Sequence, residues 1–300
     1  MESLRIGIDL GGTKTEAVVV RLGDDPDVLS RARITTDREL GYEHIVDATS
    51  RLAHDVARMA GLDTLPPIGV GMPGSITREA LVKNSNTTCL NGRPFRADLE
   101  RAVGAPIAFA NDANCFALAE ATWGAARGAR MTFGVILGTG VGGGIVAFGR
   151  TWDGAQGIAG EWGHVVLDPE EGPPCYCGKR GCVETFLSGP AIEAAYVARR
   201  GPSAAVVPLE AIGRANNPIA KALLAERMEI FGRALATVID VLDPEVVVLG
   251  GGVSNLDVLY TEGVKAVARW VFNDTLETRI VKHVLGDSAG VLGAALLPRG

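Results

Sequence analysis

The sequence predicts a soluble α/β protein in two domains, in which a glycine-turn hairpin occurs twice. Three observations lead there. The chain has 300 residues, enough for two domains and a sizeable core. Apolar residues make up 47% and glycines number 39, a balance typical of α/β proteins rather than fibrous or disordered chains. Residues 4–20, LRIGIDLGGTKTEAVVV, read as strand, glycine turn, strand, and residues 133–148, FGVILGTGVGGGIVAF, repeat that plan about half a chain later. The net charge is −6 without a basic run, so nucleic acid is not an expected partner. No apolar stretch has the length of a membrane span, and MESLRIGIDLGGTK enters a strand without the apolar region of a signal peptide. A cytoplasmic protein is expected. Five cysteines, an odd count in a long chain, argue against a disulfide framework.

Between the hairpins, Ile45, Thr49, Leu52, Val56 and Met59 form one helical stripe over 42–60, with Gly61 as its stop. IGVGMPG (68–74) reads as a short strand running into a turn. APIAFAND (105–112) reads as a buried strand, and ANCFALAEATW after it as a helix. The longest helix is expected over 217–242: Asn217 caps it, Pro218 fits its first turn, and Asp243-Pro244 stops it. EVVVLGGG (245–252) reads as a buried strand ending in a glycine turn, and a last helix is expected near 287–297.

Four motifs carry chemistry. Asp9-Leu10-Gly11-Gly12-Thr13-Lys14 is a turn whose bare backbone amides can approach a phosphate, with an acid before it that can hold Mg²⁺, often through water. An ordinary glycine hairpin with a solvated Asp is an equally good reading of that motif alone. Gly138-Thr139-Gly140-Val141-Gly142-Gly143 also fits the dinucleotide pattern, but that pattern needs a helix next, and IVAFGRTW reads as a strand. A second phosphate-binding hairpin is the expectation. The cluster Gly250-Gly251-Gly252 ends a strand, where α/β proteins commonly bind ligands.

Asn111-Asp112 ends the strand APIAFAND. A carboxylate there can take the proton of an attacking hydroxyl, or simply cap the next helix. Taken alone, the cap is the better reading. The fourth motif is His164 with Cys175, Cys177 and Cys182, four soft ligands within 19 positions and the set of a closed tetrahedral Zn²⁺ site. Gly178 and Gly181 permit the tight turn. Glu161 and Glu184 flank that cluster. Together with Asn86, Asn111, Asp112 and His164 they offer the bidentate polar groups that suit sugar hydroxyls. Glu184 also fits a helix's first turn, and His164 can serve sugar and metal only through its two different ring nitrogens.

DLGGTKTE, GMPGS, NDAN, LGTGVGGG, GEWGH, CYCGKRGCVE and LGGG occur in the order found in the ROK family of bacterial repressors and kinases, and the chain resembles it over nearly its whole length. The resemblance implies the two-domain actin-like ATPase / hexokinase (RNase H-like) fold. Residues 1–115 with the helix at about 287–300 would form a smaller domain, and 116–286 a larger one, with ATP in the cleft between them. It implies Asp112 as catalytic base and Mg-ATP at Asp9, Gly11, Gly12, Thr13, Lys14, Gly138, Thr139, Gly140, Gly142 and Gly143, with Gly251 and Gly252 near the adenosine. Glu161, His164 and Glu184 match sugar ligands, with Asn86 and Asn111 beside them, and the His/Cys₃ set matches a structural zinc site. Homodimers are frequent in the family. The loop Val82–Gly92, rich in small polar residues, resembles the fructokinase group. D-fructose phosphorylated at O6 is therefore the expected reaction, with mannose secondary and N-acetylglucosamine or glucose as alternatives. A repressor is disfavoured, because the first glycine turn begins at Asp9 with no helix-turn-helix before it.

Overall fold

The computed structural model describes residues 4–201 and 203–298. The outermost residues of the expected domains, 1–3 and 299–300, lie outside these. The chain forms two compact units, one of Met1–Gly128, Gly144–Ala159 and Val284–Gly300, the other of Ala129–Gly143 and Gly160–His283. Among the described residues no helix is long and apolar enough to cross a membrane.

The first unit begins with β1 (Leu4–Leu10), β2 (Lys14–Arg21), β3 (Asp27–Thr35) and α1 (Tyr42–Met59). It continues through β4 (Ile68–Met72), the short β5 (Ser75–Ile76) and β6 (Val82–Lys83), α2 (Phe95–Val103), β7 (Ile107–Asn111) and α3 (Asp112–Thr122). Its five-stranded sheet has the order β3-β2-β1-β4-β7. β1 runs antiparallel to β2 and parallel to β4, which is parallel to β7. Along β2, Ala17 and Val19 on one face and Val18 and Val20 on the other are all fully buried, as a sheet covered on both faces requires. The stripe of α1 is buried as expected except at Met59, which is exposed because the helix ends there, followed by Gly61 at φ 74°.

The second run of elements is β8 (Met131–Leu137), β9 (Val141–Ala147), β10 (Arg150–Thr151), α4 (Glu184–Leu187), α5 (Gly189–Arg200), α6 (Leu209–Arg214), α7 (Pro218–Leu242), β11 (Val246–Gly250), α8 (Glu262–Trp270) and β12 (Arg279–Lys282). The sheet order β10-β9-β8-β11-β12 reproduces the first sheet's plan: a central strand flanked by its own hairpin partner and by a parallel strand from further along the chain. That repeat is what the two glycine hairpins announce. Asn217 caps α7 by accepting from the Ala220 amide at 2.9 Å, and Asp243 ends the helix in the left-handed region.

The last helix, α9 (Ala289–Ala295), belongs to the first unit. It lies so close to β1 and β4 that a side chain at Gly7 or Gly69 would strike its backbone, and one at Gly293 would strike the Cys115 carbonyl of α3. Small residues at these crossings let helix and sheet close without a gap. Because α3 packs along α9, residues 116–128 also lie in the first unit.

Candidate functional site

In the first unit the candidate residues gather at the ends of β1 and β7. The Gly11 amide donates to the Lys14 carbonyl at 2.9 Å, closing a turn that leaves Thr13 and Lys14 exposed. A residue far along the chain braces it. The buried Thr36 donates its hydroxyl to the Gly11 carbonyl at 2.7 Å and its amide to the Thr13 carbonyl at 3.0 Å. The pairing of β2 with β3 brings Thr36 there, and no short motif carries that signal. Asn86 lies over the same turn: a side chain at Gly12 would meet Asn86 Oδ1 at 3.4 Å.

Asp9 sits at the end of β1, and the missing side chain of Gly290 leaves room for its carboxylate. Burial pushes its pKa up to about 7, and the charges of Asp112 and Glu16 add to the effect while Arg33 opposes it. Glu16, buried, is held by Arg33 at 2.7 Å. Asp9 therefore keeps its proton in the folded protein at pH values where the unfolded chain has lost it. The contribution of Asp9 to stability falls as pH rises from about 4 to about 7 and stays lower above that. Asp9→Asn removes this loss. In ligand-free protein the variant should gain on the order of 1–3 kcal/mol over the parent at pH 8, with little gain at pH 4. Thermal melts across that range check it, and a gap that does not widen with pH contradicts it.

Asp112 opens α3. The cap, however, is Asn111, whose Oδ1 accepts from the Ala113 amide at 2.9 Å while its amide donates to the Gly74 carbonyl at 3.0 Å. Asp112 is the first helical residue, and its Oδ1 turns back to the same Ala113 amide at 2.8 Å. This corrects the reading of Asp112 as the cap. Burial raises the pKa of the Asp112 carboxyl, with the backbone amides opposing. A cavity of about 160 Å³ opens beside Asn111, lined by Met72, Ile76 and Phe109 among others. The Ser75 hydroxyl oxygen on its wall is buried and has no hydrogen-bond partner among the described residues.

In the loop Val82–Gly92 two side chains, Ser85 and Asn91, bond within the loop, while the buried Thr87 hydroxyl oxygen has no hydrogen-bond partner among the described residues. Asn91 accepts from the Ser85 amide at 2.9 Å and donates to the Ser85 carbonyl at 2.9 Å, while Ser85 Oγ accepts from the Thr87 amide at 3.2 Å. Ser85 and Thr87 are buried. Ser85 and Asn91 therefore brace the loop internally.

In the second unit the turn between β8 and β9 is closed by the Gly138 amide donating to the Gly140 carbonyl at 2.9 Å, with Thr139 exposed at its tip. A strand follows it, as expected. Glu184, first residue of α4, accepts from the Val141 amide at 2.8 Å, and its carboxylate fills the space that a side chain at Gly140 would need. Gly142 and Gly143 lie beneath Trp162, which donates to the Gly142 carbonyl at 3.0 Å. Gly251, at φ 80°, passes against the Leu137 carbonyl, where only glycine fits, while Gly252 faces open space.

His164, Cys175, Cys177 and Cys182 converge, their ligand atoms all within 4.8 Å of one another. A tetrahedral Zn²⁺ with ordinary bond lengths has S···S edges of about 3.8 Å and N···S edges of about 3.6 Å. Cys177 Sγ lies 3.6 Å from Cys182 Sγ, and His164 Nδ1 lies 3.6 Å from Cys175 Sγ. The donor set fits the ion. Gly178 and Gly181, at φ 88° and 64°, make the turn. The other ring nitrogen of His164, Nε2, lies 2.9 Å from the hydroxyl of Tyr176. Partial desolvation around the hydroxyl of this otherwise exposed side chain pushes the Tyr176 pKa up to about 12, and the charges of Glu184 and Glu161 push the same way. One hydroxyl thus senses all three candidate sugar ligands of this unit. Tyr176 is absent from the motif reading, since the residue between two cysteines looks like a spacer.

The paired sheets and their glycine turns define a two-domain actin-like ATPase of the hexokinase kind. The ROK family model matches residues 5–300, and the chain belongs to that family as a sugar kinase. It is 34% identical over 301 residues to an N-acetyl-D-glucosamine kinase of Photobacterium profundum, covering 97% of this chain and 98% of that one. Among solved structures it resembles the ROK hexokinase of Thermus thermophilus, with TM-score 0.86 and 34% identity over 98% of this chain and 97% of that one. It also resembles a ROK glucokinase of Streptomyces griseus in complex with glucose and AMPPNP, with TM-score 0.80 and 29% identity over 99% of both chains.

Proposed function

We propose that this chain phosphorylates N-acetyl-D-glucosamine at its 6-hydroxyl, with Mg-ATP as donor. The observation that carries the choice of sugar is the 34% identity to a kinase of that name across 97% of the chain. The cavity beside Asn111 supports it. An acetamido group needs apolar room for its methyl and a polar partner, and Met72, Ile76 and Phe109 with the unpaired Ser75 hydroxyl offer both. Fructose, the first expectation, rested on the loop Val82–Gly92, of whose side chains Ser85 and Asn91 bond within the loop. N-acetylglucosamine, kept as the alternative, is favoured over it.

On this reading Asp112 accepts the proton of O6 as that oxygen attacks the γ-phosphoryl group. Burial raises its pKa, which makes it a stronger base than an exposed carboxylate. Glu161, His164 and Glu184 take ring hydroxyls, with Asn111 at the cavity and Asn86 beside the first turn. The backbone amides of Gly11–Lys14 and Gly138–Gly143 orient the phosphates, with Gly251 and Gly252 on the adenosine side, where Gly252 leaves open space. Asp9 would hold Mg²⁺, which supplies neutralising charge to the phosphates. His164, Cys175, Cys177 and Cys182 would hold Zn²⁺, which in a closed four-ligand site supplies order and not chemistry. The test is kcat/KM for N-acetylglucosamine, glucose, mannose and fructose under one Mg-ATP concentration. N-acetylglucosamine should lead by at least ~10-fold, the scale on which a matched polar subsite discriminates. A lead for fructose or glucose overturns the choice of sugar.

A further inference from the structure

Tyr176 is 79% exposed, yet its hydroxyl lies 2.9 Å from His164 Nε2, and the two rings meet edge to face at 5.1 Å. His164 turns Nδ1 toward the cysteine sulfurs. A neutral imidazole that gives Nδ1 to a metal carries its proton on Nε2, so this N–H points at Tyr176. The direction in which His164 can donate to a sugar hydroxyl is therefore taken by a side chain of the protein itself. Little holds that side chain in place. It projects from the segment between Cys175 and Cys177, and its neighbours Cys177, Gly178 and Lys179 are exposed.

We propose that Tyr176 is a displaceable placeholder: its hydroxyl occupies the His164 Nε2–H in the sugar-free enzyme, and a sugar hydroxyl replaces it on binding. The proposal rests on the sugar-site reading above. It has a physical rationale, because an N–H facing a carboxylate-rich site stays paired, and its ring stays oriented, until substrate arrives. Its cost is that every sugar must first break one hydrogen bond. An exposed tyrosine hydroxyl finds water after displacement, so the net cost is that of one modest hydrogen bond.

Tyr176→Phe keeps the ring and removes the competitor. Sugar Kd, measured by titration calorimetry, and sugar KM should both fall about 2- to 10-fold, the scale of one net hydrogen bond, with kcat and the KM for ATP unchanged. Unchanged or weaker sugar binding by Tyr176→Phe overturns the proposal. Loss of zinc from that variant would make the tyrosine a support of the metal site and also overturn it. Glu161→Gln is the companion measurement. If it leaves sugar Kd unaltered, the sugar-site reading fails and takes the proposal with it. If it weakens sugar binding while Tyr176→Phe does not tighten it, the placeholder alone is wrong.

Discussion

Asp112→Asn should lower kcat by ~10²–10⁴, the usual contribution of a positioned general base, while sugar Kd changes little. The structure makes this a clean experiment. Asn111 already caps α3, so the variant does not strip the helix of its cap. Asn at 112 keeps an oxygen able to accept from the Ala113 amide, as Asp112 does at 2.8 Å. Folding is thus expected to survive, and circular dichroism with a thermal melt verifies it. The pH profile gives a second readout. Burial holds the Asp112 carboxyl above the ordinary carboxylate range, so the parent's kcat/KM should fall as pH drops through that raised pKa. The residual rate of the variant should lack this acid limb. Turnover near the parent's would leave Asp112 a helix-opening acid and nothing more.

Cys177→Ser should empty the metal site and remove most activity. The segment 173–180 has no core of its own: only Cys175 within it is buried, and its backbone is pinned by the isolated bridge of Pro174 with Arg180. Such a segment needs a cross-link, and four converging donors, two of whose separations match tetrahedral edges, would provide it by holding Zn²⁺. Glu161 precedes His164 by three positions and Glu184 follows Cys182 by two, so both candidate sugar ligands depend on it. Elemental analysis of the parent should find about one zinc per chain, and the variant well below that. Sugar KM should rise by ~10–100-fold, the range seen when the support of a metal-organised site is lost, with a much smaller change in the KM for ATP. Full activity in metal-free parent protein would contradict the role.

The sequence by itself determined the elements whose causes are local. The stripe Ile45, Thr49, Leu52 and Val56 marks α1, and Asn217-Pro218 and Asp243 mark both ends of α7. Each is a matter of period, cap or φ angle within a few residues. The glycine turns were legible because strand, glycine cluster and strand follow one another directly in the chain, and their repetition foretold two sheets of one plan. The metal cluster was legible for the same reason: its four donors lie within one short segment.

What only the tertiary structure decided is where residues meet across long separations. Thr36 braces the first turn through the β2–β3 pairing, and α9 returns to give Asp9 its room at Gly290. That Asn111 and not Asp112 is the cap follows from where the helix begins: Asn111 is still extended at the end of β7, and Asp112 is already the first helical residue. The part played by the polar loop Val82–Gly92 was not legible, because composition does not say whether an Asn or Ser hydrogen-bonds outward or to its own backbone. Tyr176 was invisible as a spacer until its hydroxyl was placed on His164. Local propensity acts through neighbours in the chain and can be read from their order. Side-chain direction is settled by packing and by the demand that buried polar groups be paired, which the assembled fold alone resolves.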